Sequence, residues 1–350
     1  MEDKYRKIIE KLNNHGIVCF PTETVMGLGI IYDDYLAYQK LNIIKKRSED
    51  KPYTMMLSST SEIEKYAFVN KKIKRVIDRF MPGSITLLLP AKENVPEYVT
   101  HHSGVIGIRI PTNKEAIDLL TAINKPLLVP SANKAGETPA LNISKAKAIF
   151  HDEVDVYIDG CSLGEKPSTI VDLTTNEAKL IRKGPIPFVG IKAIFDGHKF
   201  DDTVVMYLFK NDEVLMLHRN KKINDINEGK YIGVGGHVEK NETPEQAVKR
   251  ELKEETNLEL LAMNKVGKIT FYFHEDVEIM NIFTSNEYQG AINYNCDEGT
   301  LKWIKIKDIF KLPLWEGDKL FLEPILNNEP YFEFEMKYDK DSLVEYKRII

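Results

Sequence analysis

The chain is poor in the residues that build stapled or membrane-spanning structures. Its 350 residues hold only three cysteines, Cys19, Cys161 and Cys296, far apart and without a CxxC pair, so neither a disulfide framework nor a cysteine-based zinc cluster is expected. No apolar run approaches the ~18 residues of a membrane span, and no membrane partner is expected. The opening MEDKYRKIIEKLNNHG is charged and amphipathic rather than a secretory leader, which makes cytoplasmic localisation the expectation. Excess positive charge is also missing. Lys and Arg number 48 against 53 Asp and Glu, a formal net charge of -5, which argues against a non-specific nucleic-acid binder and leaves any RNA contact to a local basic cleft. Fixed-period repeats and low-complexity tracts are absent from the sequence.

What is present suffices for packed cores: 43% hydrophobic and 29% charged residues, close to soluble globular averages. Single cores stop growing near ~250 residues, so a chain of this length is expected to form two domains. The polar stretch FDGHKFDD, 195–202, is the expected linker, with domains at 1–198 and 199–350. Before it, short apolar runs at 17–20, 84–90, 105–111, 126–131, 154–159 and 168–173 alternate with helical stretches near 35–46, 114–123 and 144–150, an α/β pattern. After it, TVVMYLF, an Asn-Asp turn and VLMLHR read as a hairpin, and the remainder mixes strands with two helices, an α+β pattern.

The strongest chemical signal lies in GHVEKNETPEQAVKRELKEETNL, 236–258. Thr243 is placed as an N-cap, with Pro244 at the first helical position and Gln246 closing a capping box; the helix runs to about Thr256. At ~100° per residue, Glu251, Glu254 and Glu255 share one arc while Val248 and Leu252 face an adjacent, core-directed one. Clustered carboxylates repel one another unless a counter-charge is present, and hard oxygen ligands suit Mg²⁺ or Mn²⁺. The bland alternative is a solvated acidic face with Lys249 and Lys253 as partners.

With Gly236, Glu242, Arg250-Glu251-Leu252, Glu254-Glu255 and Leu258 in place, the segment resembles the Nudix box of MutT-like hydrolases. That resemblance implies an α/β/α sandwich and hydrolysis at a diphosphate by metal-activated water. Glu251, Glu254 and Glu255 would be metal ligands, Arg250 would orient the glutamates, and one of these three, or a loop glutamate, would act as base. Asn257 stands where the family usually has glycine, and asparagine tolerates the left-handed geometry of a helix C-cap. Downstream, CDEGTLKW, 296–303, and LPLWEGDKLFLEPIL, 312–326, resemble the subgroup that removes oxidised purine nucleoside triphosphates such as 8-oxo-dGTP. By that likeness Glu298 assists at the metal or water, Trp315 stacks on the purine and Asp318 bonds its edge. Ile232 and Gly317 depart from the subgroup, standing where a base-reading asparagine and one of two adjacent acids are usual. Trp315 also admits a reading as a core aromatic beside Leu314 and Phe321.

The first half shows cations beside turns and strand ends, Lys45, Arg47, Lys51, Arg109 and Arg182, with hydroxyls Thr86, Ser131 and Ser168 nearby in pattern; such a set suits a triphosphate. For each cation alone a solvated surface role is the alternative. Eight segments in order, FPTETVMGLG at 20–29, KKR at 45–47, Lys51-Pro52, PGSITLLLP at 82–90, IGIRIP at 106–111, VPSANKAGETPA at 129–140, STIVD at 168–172 and IRKG at 181–184, resemble the YrdC family. The resemblance implies a twisted α/β sheet domain and synthesis of threonylcarbamoyl-AMP from L-threonine, bicarbonate and ATP. The product would supply the threonylcarbamoyl group of tRNA, an indirect link to tRNA modification enzymes. Lys45, Arg47, Thr86, Ser131, Asn133 and Arg182 would face ATP, and Thr24, Lys51 and Arg109 would face threonine or its carbamate. Met26 replaces a tyrosine usual at this position on the threonine side. The alternative reading makes this half a non-catalytic RNA- or nucleotide-binding module, with the second half hydrolysing another nucleoside diphosphate derivative.

Overall fold

In the computed structural model, the described residues are all except Met1, 47–51, Leu163, Glu165, 222–225, Asn241 and Asn295, together with the side chains of residues 2–4. The chain divides into two compact units, Met1–Gly197 and His198–Ile350. The stretch expected to be a linker is mostly regular structure. The helix Phe188–Asp196 runs into it and ends at Gly197, whose φ of 103° sets a left-handed C-cap, and the strand Phe200–Lys210 begins three residues later. Phe195 and Phe200 are both buried, so this polar-looking stretch anchors an element end on each side.

The first unit is built on a mixed sheet of nine strands among the described residues. Its order runs Val156–Tyr157, Val18–Phe20, Gly27–Ile31, Leu127–Leu128, Thr54–Met56, Val105–Arg109, Ile85–Pro90, Thr169–Asp172, Lys179–Arg182. The central strands are apolar on both faces, as expected where helices cover a sheet on either side. The amphipathic helix Glu2–Asn13 packs with Lys114–Ile123 over Phe20, Leu127 and Val129, burying Tyr5, Leu12 and Leu120. Two expected strands are shorter than their apolar runs. Pro126 and Pro130 bracket the first and confine pairing to Leu127–Leu128; the other pairs only at Val156–Tyr157.

The second unit is a sheet between two helices. Its strand order is Tyr231–Ile232, Glu213–His218, Phe200–Lys210, Asp276–Ser285, Asn264–Phe273, Phe332–Asp339, Ser342–Arg348, with Val234–His237 and Thr300–Lys305 paired alongside. Alternation along Phe200–Lys210 sends Val204, Met206 and Leu208 toward the helix Pro244–Thr256, and Val205 and Tyr207 toward the helix Glu316–Leu326. The expected hairpin forms, with Asn211 at φ 55° in its turn. Both units mix helices with strands, as the α/β pattern of the first half and the α+β pattern of the second anticipated.

Candidate active sites

In the first unit, strand ends and loops converge on a cleft of about 130 Å³ lined by Thr24, Met26, Ser131, Ser168, Arg109 and Arg182 among others. Arg109 ends the strand Val105–Arg109, and the register Ile170↔Arg182 carries the second guanidinium to the same place. Arg182 donates from Nε and Nη2 to the Ser168 carbonyl at 3.0 and 2.9 Å, and from Nη2 to Ser168 Oγ at 3.1 Å. Burial first, and then the charge of Arg109, lower the proton affinity of Arg182. Arg109 is buried and Arg182 the more exposed of the two, and two neighbouring cations facing one cleft suit an anionic ligand.

Arg109 is held on its other side by a residue the sequence reading missed. Its Nη2 donates to Glu23 Oε1 at 2.6 Å and to Thr24 Oγ1 at 2.8 Å, while its buried Nε has no hydrogen-bond partner. Glu23 lies inside the FPTETV segment, but nothing local marks it as the partner of a residue 86 positions away.

The remaining expected ATP residues divide between the cleft wall and the layer behind it. Thr86 lies against Ser168, with its Oγ1 2.9 Å from Ser168 Oγ. Lys45, expected to reach phosphate, is buried with its ammonium donating to the carbonyls of Ser131 and Asn133 at 2.5 and 2.6 Å. It clamps the loop that carries Ser131, whose hydroxyl donates to Asn133 Oδ1 at 2.5 Å. The lysine stem crosses the core there, and the loop carbonyls are the acceptors at its end. Arg47 and Lys51 lie outside the described residues.

In the second unit, the glutamate helix starts as its sequence dictates, with both halves of the Thr243–Gln246 capping box formed and Asn257 at φ 62° closing it. Arg250 organises the acidic face. Its Nε and Nη2 bind both Glu242 oxygens at 3.0 and 2.9 Å, its Nη1 binds Glu251 at 2.7 Å and Glu254 at 3.2 Å, and Nη2 also donates to the His237 carbonyl at 3.0 Å. Bonding to Glu242 above all holds the guanidinium far into its charged form and keeps the Glu242 carboxyl low. Gly236 leaves room for this arrangement, since a Cβ there would stand 2.5 Å from Glu251 Oε1 and push that carboxylate aside. Lys253 pairs instead with Glu259 at 2.9 Å, which removes it from the solvated-face alternative.

Glu255 is the exception on this face. Its Oε2 is buried without a hydrogen-bond partner, and desolvation, followed by the charges of Glu298 and Glu251, pushes its carboxyl well above the usual range. Glu298 is ion-paired with Arg219, a second residue absent from the sequence reading. Among the described residues no three His, Cys, Asp or Glu side chains stand together as a metal-binding group. Glu251, Glu254 and Glu255 are thus not gathered as the expected ligand set: Arg250 draws the first two, and Glu254 keeps 60% of its side chain exposed. An unpartnered buried oxygen flanked by two carboxylates nevertheless fits a hard divalent cation.

On the opposite face of this sheet, Trp315 lies outside the core cluster that contains Leu314 and Phe321. Lys230 Nζ stands 4.7 Å over its ring, and its Nε1 donates to Asn227 Oδ1 at 2.9 Å. Asp318 accepts from the Trp315 backbone N–H at 3.3 Å. Desolvation raises its carboxyl to about 7 against the opposing pull of that bond and of Lys230. Ile232 packs toward the glutamate helix and offers no polar group there.

A carboxyl with a raised folded pKa contributes stability below its unfolded value, near ~3.9, and loses it as pH rises toward the folded one. For Asp318 that window runs up to about 7, with Lys230, Tyr207 and Tyr338 as the facing groups. Asp318→Asn should therefore show a smaller fall in thermal midpoint than wild type between pH 5 and pH 8. Equal falls in the two proteins would contradict the assignment.

Comparison with known proteins agrees with this division. The Sua5/YciO/YrdC family model, described as telomere recombination, matches residues 10–184, and a NUDIX domain model matches residues 199–324. A putative threonylcarbamoyl-AMP synthase of Methanocaldococcus jannaschii is 34% identical over 191 residues, covering 53% of this chain and 90% of that protein. An uncharacterized protein of Haemophilus influenzae is 33% identical over 179 residues, covering 50% of this chain and 86% of its own length. A crystal structure of P. abyssi Sua5 complexed with L-threonine aligns with a TM-score of 0.53 at 25% identity, over 60% of this chain and 70% of that one. The chain belongs to the Sua5/YciO/YrdC family through its first unit. Its second unit is a NUDIX domain, so the chain joins two enzyme-type domains.

Proposed function

We propose that the first unit makes threonylcarbamoyl-AMP from L-threonine, bicarbonate and ATP, and that the second hydrolyses a nucleoside triphosphate, with oxidised purines such as 8-oxo-dGTP as the leading class. The observation that supports the first reading is the pair Arg109 and Arg182 on one cleft, with the Arg109 Nε unpartnered at its edge. The M. jannaschii relative is named for that synthase, and the P. abyssi structure was solved with L-threonine.

Arg109 suits the threonine carboxylate, because a guanidinium offers a planar fork to two oxygens. Arg182, Ser168 and Ser131 line the same cleft and suit phosphate oxygens. Attack of a carbamate oxygen on the α-phosphorus, with pyrophosphate leaving, then depends on proximity and charge stabilisation rather than on a nucleophile triad. Pyrophosphate release from ATP should require both threonine and bicarbonate. A folded protein that binds ATP but releases none would make the first unit a nucleotide-binding module.

For the second unit the supporting observation is the buried, unpartnered Glu255 oxygen between Glu251 and Glu298. These residues, with Glu254, would hold Mg²⁺ or Mn²⁺, which lowers the pKa of bound water and absorbs charge on phosphate. Arg250 fixes the helix face, and Arg219 holds Glu298 at its edge. Trp315, partly buried and outside that core cluster, would stack on a base with the ring face that Lys230 leaves uncovered, with Asp318 at the edge. A panel of dGTP, 8-oxo-dGTP, dATP, dCTP and dTTP tests the substrate class: the highest kcat/KM should fall on a purine. Equal turnover of all five would remove base selection.

A further inference from the structure

Gly317 and Tyr338 compete for one place. Gly317 lies in the first turn of the helix Glu316–Leu326, between Trp315 and Asp318, and its N–H donates to Tyr338 Oη at 3.1 Å. A Cβ at position 317 would stand 2.4 Å from Tyr338 Oη and 2.9 Å from Met336 Sδ. No acidic side chain enters there while Tyr338 keeps its hydroxyl in position, so the glycine and the tyrosine come as a pair.

The tyrosine ring is held from below. Tyr338 is paired with Phe273 across parallel strands, and its ring centroid lies 6.1 Å from that of Phe271 and 5.8 Å from that of Phe273. It is buried, at 7% exposure, in the core cluster that also holds Phe321 and Leu322 of the helix, which restricts movement of the ring. Its interaction with Asp318 is electrostatic, and among the described residues the hydroxyl has no bond to that carboxyl.

We propose that Tyr338 is the positioning residue for base selection in the second unit: its hydroxyl, bound to the Gly317 N–H, holds the Trp315–Asp318 turn where a second acidic side chain would otherwise stand. The base pocket then carries one acid and one aromatic face on a turn fixed from the sheet. This rests on the reading that Trp315 and Asp318 receive the base.

Tyr338→Phe removes the oxygen and keeps the ring, so the Phe271–Phe273 packing survives. Loss of one hydrogen bond of ordinary strength should raise KM for dGTP and 8-oxo-dGTP about five- to tenfold while kcat changes less than about twofold. The kcat/KM of abasic deoxyribose triphosphate, which has no base to place, should stay at the wild-type value. Gly317→Ala should do more damage than Tyr338→Phe, because its methyl collides with the hydroxyl. In the double variant, where the hydroxyl is gone and the thioether of Met336 can shift, KM should return to the Tyr338→Phe level.

An unchanged KM in Tyr338→Phe overturns the inference. So does an equal loss on the abasic triphosphate, which would mark a purely structural role, or a double variant no better than Gly317→Ala. Trp315→Ala separates this from failure of the underlying reading. If Trp315→Ala raises KM for dGTP and Tyr338→Phe does not, only the positioning role falls; if neither does, the base pocket itself is elsewhere.

Discussion

Glutamine in place of Glu255 is expected to lower kcat for triphosphate hydrolysis by at least ~10²-fold, about 3 kcal/mol of transition-state stabilisation. The same change should raise the thermal midpoint of the metal-free protein. Glu255 Oε2 is buried without a partner beside Glu251 and Glu298, which holds its carboxyl above the usual range, so burying this acid costs the fold stability that an uncharged amide of the same shape restores. The amide can also donate to the neighbouring carboxylates. Added MgCl₂ should raise the midpoint of wild type, because a cation that binds only the folded state stabilises it by mass action, and should raise that of Glu255→Gln less. Glu254→Gln makes the contrast: its exposed side chain predicts a loss of turnover with little change in the metal-free midpoint. Full Mg²⁺-dependent turnover in Glu255→Gln, or a lowered midpoint, would sink the assignment of this carboxylate to the metal.

Arg109→Ala is the corresponding test of the first unit, and here stability and activity should fall together. The side chains of Arg109 and Glu23 are 6% and 15% exposed, so removing the guanidinium strands a nearly buried carboxylate. Breaking one side of such a pair typically costs about 3–5 kcal/mol. Threonine- and bicarbonate-dependent pyrophosphate release should vanish with it. The double variant Arg109→Ala/Glu23→Gln should recover much of the stability, since the stranded charge is gone, without recovering activity. If the double variant regained threonine dependence, the carboxylate-binding role given to Arg109 would be wrong. Glu23→Gln alone should leave Arg109 in place but less firmly aimed, showing first in KM for threonine.

Both tests turn on partners that lie far apart in the chain, and the boundary between what could be read from sequence and what could not follows the same line. The capping box at Thr243, the C-cap at Asn257 and the split between acidic and core-facing arcs of the glutamate helix are short-range features with a helical period. The alternating burial of Val204, Val205, Met206 and Tyr207 is equally local, a consequence of the strand period of two. Chain length alone pointed to two cores. In the polar segment 195–202, the buried Phe195 and Phe200 close a helix and open a strand, which local composition does not show because burial is decided by what packs on a residue.

What the sequence determined by itself, then, was the set of chemically capable side chains and the elements that bear them: the glutamate row, the paired arginines, Trp315 and Asp318. Only the tertiary structure decided how each is used. It joined Arg109 to Glu23 across 86 positions, Glu298 to Arg219 across 79 and Gly317 to Tyr338 across 21. It also turned Lys45 inward to clamp the Ser131 loop, and left one oxygen of Glu255 without a partner. The reason is physical. Propensity and periodicity act over a turn of helix or a pair of residues, whereas charge pairing, desolvation and steric exclusion depend on distances that exist only once the strands have been brought into register.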